Sequence, residues 1–392
     1  MRLAPRRLLH IAQIGFFEDP YQRAARELLK SWSTVGDVAE AACNAGLRVS
    51  VVQAAAEAER LEINGVQYYF GPFGRSAATP GRALAELLRE LAPDVLHVHG
   101  LDFPREVLSL SRVALELPII LQDHASRLPR PWHRRLWRRS IAVAAGVAFC
   151  AIDQARPFAH AGLLRPATRI YEIPESTSHF TPGDRTQARR LTGVEGDPAV
   201  LWVGHLDANK DPLTVLAGVK AAIRALPRLQ LYCCFGAAPL RARVEPLITA
   251  DAELRARIHL LGRVPHERVE QLMRAADLFV LGSHREGSGY ALIEALACGL
   301  PPVVTDIPSF RVLTGRGAVG TLWPCGEAGA LAAALQTAAP RTDAAARAAV
   351  RAHFERELSF GALGTKLAAM YDDVAEGVQP TMKGECALHP SV

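Results

Sequence analysis

Short apolar runs recur along the chain, separated by amphipathic stretches such as 21–30 and 81–91. In the first half the runs are 8–14, 47–53, 66–70, 95–99, 118–122 and 146–151. The second half repeats the pattern at 199–204, 229–235, 257–261, 277–281, 302–305 and 319–323. Brief apolar runs fit strands buried on both faces of a parallel sheet, and their alternation with helices fits a doubly wound α/β architecture. Between the halves, 176–197 is rich in Pro, Ser, Thr and Gly, as an interdomain hinge is. The pattern predicts two Rossmann-like domains, 1–175 and 198–358, facing each other across a cleft. The alanine-rich stretch 328–349 reads as helical.

One junction carries the candidate chemistry. The run 277–281 reads as a strand, 283–289 as a loop and 290–298 as a helix stopped by Gly299 and Pro301-Pro302, with the next strand at 303–305. Such a right-handed βαβ unit opens its loop at the carboxyl ends of the strands, where open α/β sheets bind ligands. The helix start attracts anions, and Gly287 and Gly289 let the backbone approach phosphate oxygens closely. Two acids flank the loop, Glu286 and Glu294. A carboxylate there repels phosphate but accepts hydrogen bonds from the hydroxyls of a ribose or another sugar. Glu294 has a second reading, as a helix-surface residue in a salt bridge.

Composition narrows the class. A chain of 392 residues with 49% hydrophobic content is long enough for two cores. Seven cysteines, an odd number without a CxxC pair, point to reduced thiols in a cytosolic protein. No run reaches the ~20 apolar residues that span a bilayer. The basic start 1–7 superficially resembles a signal peptide, yet His10 and Gln13 interrupt the apolar stretch that follows, so 8–14 reads as the first strand. A net charge of +5 suits anionic substrates without pointing to nucleic acid. Neither half carries GxGxxG after its first strand, which weighs against a nicotinamide or flavin cofactor.

The ordered set of 94–100 (DVLHVHG), 202–212 (WVGHLDANKDP) and 285–294 (REGSGYALIE) resembles the retaining GT-B-fold glycosyltransferases of family four, over nearly the whole chain. The resemblance implies a sugar transfer from a nucleotide-diphosphate sugar, as co-substrate, to the hydroxyl of a glycan, a lipid-linked acceptor or a small molecule, with no other cofactor and no catalytic metal. It implies that Glu286 lies against the donor sugar, that Glu294 binds the ribose, and that the backbone of Gly287, Ser288 and Gly289 faces the diphosphate or sugar. Lys210 matches a lysine that neutralises the diphosphate. The arginine expected five residues earlier is His205, which lacks the permanent charge and the two-pronged geometry of a guanidinium. His124 stands where a histidine of the first domain meets the donor sugar, with His97 and His99 as alternatives. Gly262 and Arg263 resemble the loop lining the nucleotide base, chiefly through backbone. Pro174-Glu175-Ser176 replaces a frequent Pro-Asn-Gly, and 15–20 replaces a glycine-rich loop on the acceptor side. A helix near 359–377 is expected to return to the first domain, and 379–392 to be a disordered tail.

The stretch 127–139 holds six arginines, two tryptophans and no acid. It reads either as a solvated helix packed on the first domain through its tryptophans, or as a peripheral contact with an anionic membrane, placing the protein at the inner face. Two rival functions are kept: a non-catalytic glycosyltransferase-like binding protein, and another GT-B enzyme such as a sugar-nucleotide epimerase or a phosphorylase.

Overall fold

A computed structural model describes residues 8–31, 34–74 and 80–377. The first sheet comprises β1 (His10–Gly15), β2 (Arg48–Ala54), β3 (Glu59–Ile63), β4 (Val66–Gly71), β5 (Val95–His99), β6 (Ile119–Gln122), β7 (Gly146–Phe149) and β8 (Arg169–Glu172). Its order is β3-β4-β2-β1-β5-β6-β7-β8. The second sheet comprises β9 (Ala199–Gly204), β10 (Gln230–Phe235), β11 (Ile258–Gly262), β12 (Leu278–Leu281), β13 (Pro302–Thr305) and β14 (Thr321–Trp323), in the order β11-β10-β9-β12-β13-β14. All pairings are parallel except β3 with β4.

Central strands such as β6, β7, β12 and β13 are buried at every position, because helices cover both faces. That burial is why they read as unbroken apolar runs. Strand order reverses direction at β1/β5 in the first sheet and at β9/β12 in the second. Crevices open at such switch points, beyond the strand carboxyl ends.

Several elements differ from the sequence expectation. β3 and β4 form a hairpin through Asn64-Gly65, both with positive φ (51° and 77°), a two-residue turn that the apolar-run criterion passes over because β3 is half polar. The alanine-rich stretch is two helices, Ala328–Ala338 and Ala344–Glu357, because Pro340 cannot continue the first and Asp343 caps the second by accepting from the Ala346 N–H. The stretch 176–197 contains a helix, Arg185–Thr192, whose Arg185 and Arg189 bind the buried Asp277 at 2.7 and 2.6 Å. The amphipathic stretch 21–30 forms a helix only from Ala25–Ser31.

The last helix, Phe360–Glu376, returns to the first domain. Its Leu363, Leu367, Met370 and Tyr371 are buried with Ile11 and Val38, each such side chain contributing about 1.5–3 kcal/mol. The Tyr371 hydroxyl is satisfied inside this core by His97 at 2.7 Å and Gln13 at 3.3 Å. No described helix is long and apolar enough to cross a membrane. Residues 1–7 and the expected tail 379–392 lie outside the described residues.

Candidate active site

Both switch points face one cleft, with a cavity of about 660 Å³ bordered by His99, His124 and Glu175 on one side and Glu286, Gly287 and Gly289 on the other. The residues arrive there by topology. His99 ends β5, His124 follows β6, and Glu175 follows β8. His205 and Lys210 follow β9, and Glu286 follows β12.

The loop between β12 and the helix Tyr290–Ala297 is built on glycine. Gly289 adopts φ +84°, and a Cβ there would press into the Phe310 ring at 2.6 Å. A Cβ on Gly287 would collide with the Glu175 carboxylate. Gln154, from the first domain, donates to the carbonyls of Glu286 at 2.7 Å and Gly287 at 3.1 Å, holding the loop from across the cleft.

Glu286 forms an ion pair with Lys210, both side chains largely buried. The Lys210 backbone is held by Asp207, and Asn209 donates to the Arg285 carbonyl at 2.9 Å, which ties the two loops together. Glu294 pairs with His266 Nε2 at 2.5 Å. That hydrogen bond and the Glu294 charge raise the His266 pKa above 6.5, against the opposing effect of burial.

The position where an arginine is expected has its own solution. His205 is exposed, and its Nδ1 accepts the Ala237 N–H at 3.1 Å. The neutral ring therefore carries its proton on Nε2 and is a donor without being charged. Arg263 stands beside it: a Cβ on Gly236 would lie 3.3 Å from His205 Cε1 and 3.6 Å from an Arg263 guanidinium nitrogen. Gly262, with φ +68°, ends β11 and turns the chain toward this pair.

His124 has both ring nitrogens engaged. Nδ1 lies 2.6 Å from Glu175 and Nε2 lies 3.0 Å from His99 Nδ1. Burial pulls its pKa down, but the Glu175 carboxylate, helped by Asp123 and Asp102, outweighs this and the net shift is upward. Behind it, burial lowers His99, and drives His97 down to about 3. Burial pushes Asp123 up to about 6, with the Ser126 N–H opposing. His97 is thus a neutral core residue, while His99 and His124 reach the cleft.

Ser288 is fully buried, and its backbone N–H donates to Glu175 while its hydroxyl accepts from the Glu175 N–H at 2.8 Å. Sequence reasoning missed Glu175, Gln154 and His266 as site residues. Only Glu175 had a signal, as a departure from Pro-Asn-Gly.

In the stretch 127–139, the helix Arg134–Ala142 packs through Trp137, which stacks on Phe158 at 6.4 Å. Trp132 lies in the preceding turn, 68% exposed, so only one tryptophan packs on the domain. A second groove, about 770 Å³, runs past Leu84, Arg105, Arg112, His133 and Trp137 and meets the cleft at Asp102.

The family described as Glycosyl transferases group 1 matches residues 184–351, and Glycosyltransferase Family 4 matches residues 32–173. The phosphatidyl-myo-inositol mannosyltransferase of Mycobacterium leprae is 30% identical over 301 residues, 72% of this chain and 74% of that protein. The GDP-mannose:cellobiosyl-diphosphopolyprenol alpha-mannosyltransferase of Xanthomonas oryzae pv. oryzae is 26% identical over 58% of this chain. The match spans 60% of that relative's length. The crystal structure of Anabaena Alr3699/HepE in complex with UDP superposes with a TM-score of 0.69 at 17% identity, covering 93% of this chain and 100% of that one. At that identity the likeness shows the fold.

Proposed function

The chain belongs to the glycosyl transferases group 1, with the GT-B fold, and on that premise we propose that it moves a sugar from a nucleotide-diphosphate sugar to an acceptor hydroxyl with retention at the anomeric carbon. The observation that carries this reading is the Lys210–Glu286 pair beside the glycine loop at the β9/β12 switch point, facing His124. A diphosphate drawn to Lys210 separates the pair and frees Glu286 to accept hydrogen bonds from the donor sugar. Glu294, oriented by His266, accepts from the ribose. The two cations Lys210 and Arg263, with the neutral His205 Nε2–H as a further donor, surround the diphosphate and meet the charge of the departing group without a metal.

In the transfer, the acceptor oxygen bonds to the anomeric carbon as the bond from that carbon to the diphosphate oxygen breaks. The acceptor proton passes to the departing diphosphate on the same face. The names of two relatives, one using GDP-mannose and both acting on lipid-linked acceptors, support this reading, as does the UDP complex of the structural neighbour. The groove meeting the cleft at Asp102 suits the acceptor, and the arginine-rich turn with exposed Trp132 suits the surface of an anionic membrane. Isothermal titration with UDP, GDP and ADP tests the donor side: one of them binds, and failure of all three overturns the proposal.

A further inference from the structure

The Glu175 carboxylate is 4% exposed and sits at the meeting point of both domains. It contacts His124 Nδ1 of the first domain and the Ser288 N–H of the second, while its own N–H donates to the Ser288 hydroxyl. The reciprocal pairing fixes the carboxylate relative to the glycine loop. Gly287 makes the space this carboxylate occupies, since a Cβ there would overlap it. A backbone N–H fixes a carboxylate's direction, and a ring nitrogen beside it is oriented as a donor.

We propose that Glu175 is a positioning residue for His124: anchored on Ser288 of the opposite domain, it holds the ring through Nδ1–H, keeps the imidazolium accessible, and leaves Nε2 as the nitrogen that turns to substrate. This rests on the donor-site reading above. Nε2 reaches a sugar hydroxyl by exchanging His99, a weaker partner because its ring is neutral. Domain closure and histidine charge are thereby joined, since the carboxylate that supports the imidazolium is held only when Ser288 stands against it. The other groups facing His124 are the carboxylates of Asp123 and Asp102, and the rings of His99 and, beyond it, His97. Glu286 borders the same cavity.

The test is histidine NMR titration of the full chain, with His124 assigned by its loss in His124→Gln. In the wild type His124 is expected to titrate above 6.5. In Glu175→Gln it falls by about one unit or more, a tenfold loss of imidazolium at a given pH above it. Asp123→Asn lowers it less, and Glu175→Asp, which keeps the charge, restores part of the shift. If transfer needs the imidazolium, activity is lost as pH rises through the His124 value, and that limb moves to lower pH in Glu175→Gln. A wild-type His124 titrating at or below 6.5, or one unmoved by Glu175→Gln, overturns the proposal. If the Gln variant does not fold, the wild-type titration and Glu175→Asp decide. Calorimetry with UDP and GDP runs alongside, so failure of the donor reading appears there while the titration still judges Glu175.

Discussion

Lys210 and Glu286 make opposite predictions for nucleotide binding, although they are partners in one ion pair. Their side chains are 18% and 12% exposed, so each leaves the other in a poorly hydrated place when removed. Lys210→Met deletes a charged hydrogen bond to the diphosphate, worth about 1.5–3 kcal/mol, and weakens nucleoside diphosphate binding by roughly ten- to a hundredfold. It also strands Glu286, at a cost of about 1–3 kcal/mol in stability. For a domain of this size that lowers Tm by roughly 2–4 °C per kcal/mol. Glu286→Gln instead releases Lys210 from its partner. Binding of the nucleoside diphosphate alone is unchanged or tightens, because Lys210 no longer has to leave a carboxylate to meet the phosphate. Transfer nevertheless falls about a hundredfold or more, because the sugar hydroxyls and the positive charge developing at the anomeric carbon lose a charged partner. Calorimetry on the wild type and both variants, with the nucleoside diphosphate and the intact donor, reads all of this. Equal weakening of nucleoside diphosphate binding by both variants refutes the exchange of Glu286 for phosphate at Lys210.

Three further outcomes follow from neighbouring groups. Arg263→Ala weakens donor binding about tenfold, and His205→Ala less, since one is always charged and the other donates as a neutral ring; equal donor affinity in Arg263→Ala and the wild type removes Arg263 from the phosphate site. His266 has a raised pKa in the folded chain, so its contribution to stability is full below the unfolded value near 6.5 and is lost as pH rises through the raised folded value. With its side chain half exposed, His266→Ala is expected to destabilise more at pH 5.5 than at pH 9 in urea titrations, by a difference below about 1 kcal/mol; the reverse order contradicts the assigned pairing. In flotation assays the protein binds vesicles containing phosphatidylserine but not neutral ones, and Trp132→Ser combined with Arg134→Glu and Arg135→Glu abolishes binding; co-flotation unchanged by these substitutions rules out this face as the contact.

The fold was legible where burial is two-sided and boundaries are chemical. The helix Tyr290–Ala297 could be placed within one residue because Gly299, with φ +66°, and the prolines after it stop the chain. β3 was illegible as an apolar run because it lies at a sheet edge and alternates exposed with half-buried residues, although Asn64-Gly65 marked its hairpin. β8 escaped assignment for the same reason, lying at the other edge with no buried position. At the site, Glu286 and Lys210 follow the two strands of the β9/β12 switch point, and His124 follows β6, next to the β1/β5 one, so strand order brings them to the cleft. The Glu175–Ser288 pairing joins residues 113 apart, and neither residue type announces a partner in the other domain. The Arg263 guanidinium beside His205 was equally hidden, because it depends on how β10 and β11 set Gly236 between them.

The most direct measurement of the central claim is NMR of the transfer reaction with the nucleotide sugar selected by binding, following the donor and product anomeric protons and the free nucleoside diphosphate together. The account predicts that nucleoside diphosphate and glycoside appear in equal amounts, with the anomeric configuration of the donor kept in the product and transfer abolished in Glu286→Ala. An inverted product, or transfer undiminished in Glu286→Ala, would contradict it.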